Sequence, residues 1–223
     1  MDRLESKFET LYVLMTASAD SERAVKMSAY MRDQFQFLGV ATPQRKEITK
    51  HLYREAKKEL AIDWRFVNDC WECPYREFKY VAIGYLSVLK KLLTPMDLLN
   101  LKKLAKKDSW WDTIDGLDRL VGEITFNYPS MKPMIVEWST DEDFWLRRIA
   151  IDHQLLRKEK TDTELLEKII IVNLHQKEFF INKAIGWSLR DYSKVNPAWV
   201  RMFIERHREG LSALSIREAS KYL

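Results

Sequence analysis

Aromatic residues recur in the second half of the chain at an interval of 34 or 35 residues. Trp111, Trp145 and Phe180 each stand near the start of a segment in which apolar residues return every three or four positions. That spacing marks one face of an α-helix. Each interval has room for a long helix, a turn and a shorter helix, which is the length of one unit in a stack of helical pairs. The sequence therefore predicts an all-α fold in which such pairs form one curved domain over residues 1–223.

Turn and capping residues divide the chain into about a dozen predicted helices, with no convincing strand. The first apolar stripe begins at Leu4. Asp108 or Ser109 is expected to cap the central helix, because their side chains can accept a hydrogen bond from a free backbone N–H. Other predicted helix starts are Thr42-Pro43, Asp63, Thr94-Pro95, Asp162 within a capping-box sequence, Asn196-Pro197 and, for the last helix, Ser215.

The composition permits a nucleic-acid partner without requiring one. Hydrophobic residues make up 46% of the chain, and Gly and Pro occur only six times each, so a folded helical core is expected. The net charge of +4 is a mild excess that suits a polyanion. Eight Trp and nine Tyr residues, together with the basic residues, suit base or sugar contacts as well as a core.

The cysteines and histidines do not form a recognisable metal-binding pattern. Cys70 and Cys73 lack a second Cys or His pair at the spacing of a zinc site, so they are interpreted as ordinary thiols in a reducing compartment. The four histidines are scattered, which makes a metal-dependent hydrolase a weak candidate. No signal-peptide core and no apolar run long enough for a bilayer is found, so a cytoplasmic location without membrane contact is expected.

A candidate site lies on the central helix. Trp111 and Asp115 are four residues apart and share one helical face, with Asp112 beside them. Trp110 and Ile114 belong to the opposite, apolar stripe. A carboxylate beside an exposed aromatic ring suits a planar, cationic ligand.

Stacking of the repeats would bring Arg148 and Trp187 to Trp111 and Asp115. Each of these residues also has an ordinary structural interpretation. Asp115 alone resembles a solvated carboxylate, Trp187 a core residue, and Arg148 an ion-pair partner of the nearby Asp143 or Asp152. Gly186, next to Trp187, indicates that another group approaches the backbone closely at that point.

Five stretches of the sequence resemble the AlkD family of DNA alkylation-repair glycosylases, and the resemblance covers nearly the whole chain. The most specific blocks are Trp-Trp-Asp at 110–112 and Phe-Phe-Ile-Asn-Lys-Ala-Ile-Gly-Trp at 179–187. The others are Phe-Gln-Phe-Leu-Gly-Val at 35–40, Trp-Glu-Cys-Pro-Tyr-Arg-Glu-Phe at 71–78 and Phe-Trp-Leu-Arg-Arg at 144–148.

The resemblance implies a solenoid of HEAT-like helical repeats (an α-α superhelix) whose concave, basic groove binds double-stranded DNA containing alkylated purines. It places the family's catalytic carboxylate on Asp115 and its groove tryptophans on Trp111 and Trp187. The phosphate-binding arginine falls on Arg148 and a groove tyrosine on Tyr30. Ala41 departs from the family, where a longer polar side chain is expected to contact DNA.

The chemistry implied is hydrolysis of the N-glycosidic bond of cationic N3- or N7-alkylpurines, with the lesion left stacked in the duplex. The purine already carries a positive charge, so the reaction needs no cofactor or metal, and a carboxylate stabilises the oxocarbenium-like sugar. No lysine is placed to form an imine, so a monofunctional enzyme is expected. The enzyme is expected to be a monomer that associates with the nucleoid when it acts on DNA.

Further cations are expected on the concave face, where they grip phosphates without reading sequence. They are Arg45, Lys183 and Arg190, with Arg148. The rival hypothesis is a non-catalytic helical-repeat scaffold that binds nucleic acid or protein, because the fold alone does not decide function. A carboxylate between Trp111 and Trp187 repels phosphate, and this favours the enzyme.

Overall fold

The computed structural model describes residues 6–223, and in this part of the chain the all-α prediction is confirmed. Thirteen α-helices and four short 3-10 helices follow one another, with no strand. Leu4, the predicted start of the first apolar stripe, lies outside the described residues. The helices are α1 Lys7–Ala17, α2 Ser21–Tyr30, α3 Thr42–Ala56, α4 Trp64–Glu72, α5 Arg76–Val88, α6 Asp97–Ala105, α7 Trp111–Asn127, α8 Lys132–Trp138, α9 Phe144–Asp152, α10 Thr163–Ile171, α11 Phe179–Ser193, α12 Pro197–Arg206 and α13 Ala213–Ala219. None of them is long and apolar enough to cross a membrane.

The chain divides into two compact units, Met1–Leu93 and Thr94–Leu223. The first unit contains α1 to α5, and α5 packs against both α3 and α4. The second contains α6 to α13. That residues 1–223 form a single domain stays a prediction.

The second unit shows the repeat that the aromatic spacing predicts. Helices α7, α9, α11 and α13 begin at Trp111, Phe144, Phe179 and Ala213, and each packs against the next in that order. The intervening helices form a second row, in which α8 contacts α10, and Arg206 of α12 pairs with Glu167 of α10. The apolar stripe of α7 faces this packing, and its Ile114, Leu117 and Val121 are fully buried. The fold is therefore one of stacked helical repeats.

Three predicted caps are confirmed and four predicted starts are corrected, among them Thr94-Pro95, because α6 begins at Asp97 with Met96 as its N-cap. Asp63, Asp162 and Asn196 each accept a backbone N–H at the start of α4, α10 and α12. The N-cap of α7 is Trp110, because the Ser109 hydroxyl instead donates to the Ala105 carbonyl at the end of α6.

The caps of α3 and α13 also differ from the predicted residues. Ala41, not Thr42, is the N-cap of α3, and it offers no side-chain hydrogen bond. Ser212 caps α13, so Ser215 lies inside that helix. The Ser215 hydroxyl donates a hydrogen bond to the Asn182 carbonyl and so links α13 to α11.

A buried carboxylate organises the loop before α3 in the first unit. Glu77 is fully buried and accepts hydrogen bonds from the backbone N–H groups of Leu38, Gly39 and Val40, at 3.1, 2.8 and 3.1 Å. Gly39 has a φ of +84°, and a Cβ there would lie 2.0 Å from the Asp20 carbonyl oxygen, so the turn requires glycine. The stretches at 35–40 and 71–78 thus form one structural element.

Replacing Glu77 by Gln should destabilise the protein by about 2–4 kcal/mol, because an amide has one acceptor oxygen where three buried N–H groups converge. The side-chain NH₂ group of the new glutamine would itself face these backbone N–H donors. The free energy of unfolding in urea would measure the loss. Glu47→Gln is the matched control, since Glu47 is exposed and pairs with Lys50 on its own helix. A loss at Glu77 no larger than at Glu47 would contradict the proposed support of the loop.

Candidate functional site

Aromatic rings bind together the first turns of α7, α9 and α11. The Phe180 ring lies 5.3 Å from the Trp110 ring and 4.8 Å from the Trp145 ring, centroid to centroid. Trp110 and Trp145 are themselves 5.9 Å apart. The three residues come from consecutive repeats, so their packing fixes the three helix starts side by side. Side chains one turn further along each helix are consequently brought together.

Asp115 and Arg148 meet at this place. Arg148 donates from Nε at 2.9 Å and from Nη2 at 2.7 Å, and both bonds end on the same Asp115 oxygen, Oδ1. Among residues 6–223, no donor is hydrogen-bonded to the other oxygen, Oδ2. The Asp115 side chain keeps 24% of its surface exposed, whereas Arg148 keeps 2%. The pair therefore presents one free carboxylate oxygen above a buried guanidinium.

The pKa of Asp115 is raised above its ordinary value. Burial is the main cause, and the neighbouring Arg148 guanidinium opposes the rise without cancelling it. Burial also acts against the charge of Arg148, but Asp152 and Asp115 together hold the pKa of Arg148 above its usual range. Arg148 is therefore a permanent cation in this pair.

Arg148 joins three repeats. Its Nη1 donates to the Phe180 carbonyl of α11 at 2.8 Å, and its Nη2 lies 3.8 Å from Asp152 Oδ2. The guanidinium carbon is 5.3 Å from the centre of the Trp187 ring. Only 1% of Arg148 is exposed and its guanidinium is occupied by protein groups, so its expected contact with phosphate stays a prediction. The ion-pair interpretation of Arg148 describes its position, with Asp115 as an additional partner.

Two further carboxylates lie beneath the Asp115–Arg148 pair. Asp118 and Asp152 are buried, and one oxygen from each lies within 4.8 Å of an Asp115 oxygen. Asp152 Oδ1 accepts a hydrogen bond from the Ser188 hydroxyl at 3.0 Å. Burial raises the pKa of Asp152 to about 7, and burial together with Asp152 raises the pKa of Asp118 well above its ordinary value. Burial therefore favours the protonated form of this pair.

Asp115, Asp118 and Asp152 have the spacing of a trio that could hold a metal ion. The positive charge at this position is supplied by Arg148, which contacts Asp115 and lies within 4 Å of Asp152. A cation added there would face a guanidinium already bonded to one of its ligands. The geometry suits an arginine-neutralised carboxylate cluster better than a metal centre.

Trp187 is surrounded by cations. Lys183 Nζ and the Arg190 guanidinium carbon lie 5.6 and 5.8 Å from its ring centre, in addition to Arg148. Both cations are paired with Glu218 of α13. Glu218 is not among the site residues predicted from the sequence. Continuing the 35-residue spacing from Lys183 leads directly to this residue.

The relatedness of the chain to known proteins follows from two comparisons. A profile of the family described as "DNA alkylation repair enzyme" matches residues 14–223. This chain belongs to that family. A solved structure described as "Predicted DNA alkylation repair enzyme from Enterococcus faecalis" is 36% identical in sequence, with a TM-score of 0.85 over 92% of this chain and 97% of that one. No curated protein matches the chain.

Membership in the DNA alkylation repair family implies DNA as the substrate, and the remaining predicted site residues can be placed in this light. Trp111, the first residue of α7, lies one helical turn before Asp115 and is partly exposed. Tyr30 and Arg45 belong to the unit Met1–Leu93. Tyr30 ends α2 with 71% of its surface exposed. Arg45 stands on α3, with its guanidinium carbon 4.9 Å from the centre of the Tyr80 ring.

The raised pKa values of Asp118 and Asp152 in this repair enzyme have a consequence for stability. Asp118 and Asp152 have raised pKa values in the folded state, so the folded protein binds more protons than the unfolded chain. The contribution of this pair to the free energy of unfolding should therefore be fully present below the unfolded pKa of about 4 and be lost as the pH rises through about 7. Asp118→Asn keeps the shape but cannot ionise. It should lose much less stability between pH 5 and pH 8.

Urea denaturation at a series of pH values would measure this difference. Asp112→Asn, on the partly exposed face of the same helix, is the control and should keep the wild-type pH dependence. An Asp118→Asn protein whose stability falls with pH as steeply as the wild type would show that the buried pair does not hold the proton.

Proposed function

We propose that this chain is a monofunctional DNA glycosylase that hydrolyses the N-glycosidic bond of cationic N3- or N7-alkylpurines in duplex DNA. The observation that carries the proposal is the Asp115–Arg148 pair, in which one carboxylate oxygen is bound and the other is free. Membership in the DNA alkylation repair family indicates DNA as the substrate. The resemblance in the blocks around Trp111 and Trp187 indicates cationic alkylpurines as the damaged bases that are removed.

Asp115 is assigned the stabilisation of the sugar. The C1′–N bond breaks, and the purine leaves with the bonding electrons as a neutral alkylated base. The positive charge then resides on the sugar, close to Asp115 Oδ2, where a fixed carboxylate in a poorly solvated site is most effective. Water attacks C1′ and gives a proton to Asp115 or to solvent, which leaves an abasic sugar with a hydroxyl group at C1′.

Arg148 is assigned the orientation of Asp115. Two donors on Oδ1 hold the carboxylate in one rotamer and leave Oδ2 directed away from the guanidinium. The charge of Arg148 also offsets the repulsion between Asp115 and the phosphates of a bound DNA strand. In this assignment Arg148 acts through Asp115, and contact with phosphate is left to the more exposed Lys183 and Arg190.

Trp111 and Trp187 are assigned the placement of the damaged nucleotide. Both rings are partly exposed, and Trp187 is flanked by cations that hold its orientation. Ring faces of this kind attract the electron-poor C–H groups of a sugar and the positive charge of an alkylated purine. Tyr30 and Arg45 are proposed as further DNA contacts from the first unit.

Asp115→Asn should lower the excision rate by roughly 10²- to 10³-fold, the size of one preorganised electrostatic contact. The amide preserves size but removes the charge, so affinity for DNA should hold or increase. Single-turnover release of base from an N7-methylguanine duplex, at saturating protein, measures the rate. Asp112→Asn, one turn earlier on the same helix, is the matched control and should remain close to wild type.

If Asp115→Asn releases the base at nearly the wild-type rate, Asp115 is not the catalytic carboxylate. A wild-type protein that binds duplex DNA but releases no base would instead support the non-catalytic scaffold. Activity that is lost in a strong chelator and restored by a divalent ion would support metal-dependent hydrolysis at the three carboxylates.

The charge of the lesion should decide whether it is excised. N7-methylguanine in DNA can be converted by mild alkali to a ring-opened form that carries no positive charge. A neutral purine leaves readily only when a general acid protonates it. The proposed site instead has the Asp115 carboxylate, which is bonded to Arg148. The ring-opened base should be released roughly 10²- to 10⁴-fold more slowly, the typical contribution of general acid catalysis. Equal rates on the two duplexes would argue against dependence on a cationic lesion.

A further inference from the structure

Equivalent positions of the four stacked helices carry a row of charges. Asp115 and Arg148 are the fifth residues of α7 and α9, Lys183 is the fifth residue of α11, and Glu218 is the sixth of α13. Each carboxylate at an end of the row pairs with the cation on the neighbouring helix, Asp115 with Arg148 and Glu218 with Lys183. The row thus has two similar ion pairs, one at the candidate catalytic carboxylate and one at the end of the chain.

Glu218 is the more fully occupied of the two carboxylates. Its Oε1 accepts from Lys183 Nζ at 2.8 Å, and its Oε2 accepts from Arg190 Nη1 at 3.0 Å and from Lys221 Nζ at 2.8 Å. Only 4% of the residue is exposed. The hydrogen bonds from Lys183 and Lys221 lower the pKa of Glu218 to about 2, so it is ionised at neutral pH.

Two of the three partners of Glu218 are cations that flank Trp187. Lys183 and Arg190 stand one turn before and one turn after this tryptophan on α11, and both lie within 6 Å of its ring centre. The backbone between them is pressed against α13. A Cβ on Gly186 would lie 2.6 Å from Glu218 Cβ and 3.1 Å from the Ser215 carbonyl oxygen. The close approach predicted from Gly186 is therefore that of the Glu218 helix.

We propose that Glu218 is a positioning residue for excision, which holds Lys183 and Arg190 against Trp187 and so fixes the ring that receives the damaged nucleotide. This inference rests on the proposed function. Glu218 is also expected to have a second effect. While Lys183 and Arg190 are paired with Glu218, they are less available to bind DNA phosphates. Removal of the carboxylate should loosen Trp187 and at the same time free two cations for the DNA backbone.

These two effects have opposite signs, and this separates positioning from simple structural support. In Glu218→Gln, affinity for undamaged duplex should increase about threefold at low salt. The slope of log affinity against log salt should steepen by about 2, because each neutralised phosphate contributes about 0.9. The single-turnover excision rate from an N7-methylguanine duplex should fall about tenfold, since the sugar is placed less accurately beside Asp115.

Glu167→Gln is the matched control. Glu167 of α10 is also a carboxylate paired with two basic groups, Arg206 at 2.9 Å and His207 at 3.3 Å. Its replacement changes the net charge by the same amount at a place where Trp187 is not involved. Salt slope and excision rate should both stay at the wild-type values. A Glu167→Gln protein with the same gain in affinity as Glu218→Gln would show that only net charge matters.

A second pair of variants keeps the carboxylate of Glu218, in case its replacement prevents folding. Lys183→Gln combined with Arg190→Gln should lower the excision rate about tenfold even at saturating protein, whereas Lys221→Gln should leave it unchanged. Wild-type rates in the double variant would overturn the proposal. So would a Glu218→Gln protein in which affinity and rate fall together with the thermal midpoint, because that result describes helix support alone.

The affinity and salt slope are measured on undamaged DNA and do not depend on catalysis. If the wild-type protein releases no base, the proposed function fails, yet the binding measurements still test the hold of Glu218 on the two cations. An unchanged salt slope in Glu218→Gln, with wild-type excision intact, would overturn the role of Glu218 while the glycosylase proposal stands.

Discussion

The guanidinium of Arg148 is the group on which the arrangement of the second unit depends. It is bonded to Asp115 of α7 and to the Phe180 carbonyl of α11, and it lies within ion-pair distance of Asp152 on its own helix. Removing it would leave Asp115 and Asp152 without the guanidinium that both face, while Asp118 keeps its bond with Arg119. An unpaired buried carboxylate is far more costly than a lost surface ion pair. Because the same cation joins consecutive repeats, the position of Asp115 is set by the stack as a whole.

Much of the fold follows from the sequence because its signals are local and repeated. The spacing of Trp111, Trp145 and Phe180 corresponds to three helix starts whose rings pack together. Capping at Asp63, Asp162 and Asn196 depends only on neighbouring backbone, so it could be predicted. The cap of α7 could not, since the hydroxyl of Ser109 was drawn to the preceding helix. A competing acceptor of that kind is visible only once the turn geometry is known.

The candidate site was predicted in its residues but not in its burial. Spacing indicated that Asp115, Arg148 and Trp187 would lie near one another, and they do. Spacing does not tell how deep a side chain lies, and it gave no sign that the Arg148 guanidinium would be buried. Glu77 and Glu218 were missed for the same reason. Each is a carboxylate whose partners come from distant segments, and in the sequence each resembles an ordinary charged residue on a helix.

The two ends of the charge row show how one repeat position can carry two kinds of chemistry. Both carboxylate oxygens of Glu218 are bonded to cations, so its charge is neutralised within the protein. Asp115 has one oxygen bonded and one free, and its pKa is raised where that of Glu218 is lowered. A carboxylate that is held firmly but only half satisfied can stabilise a positive charge that develops beside it. Under the proposed function, the anchoring carboxylate and the catalytic one differ in the number of donors that surrounding side chains bring to them.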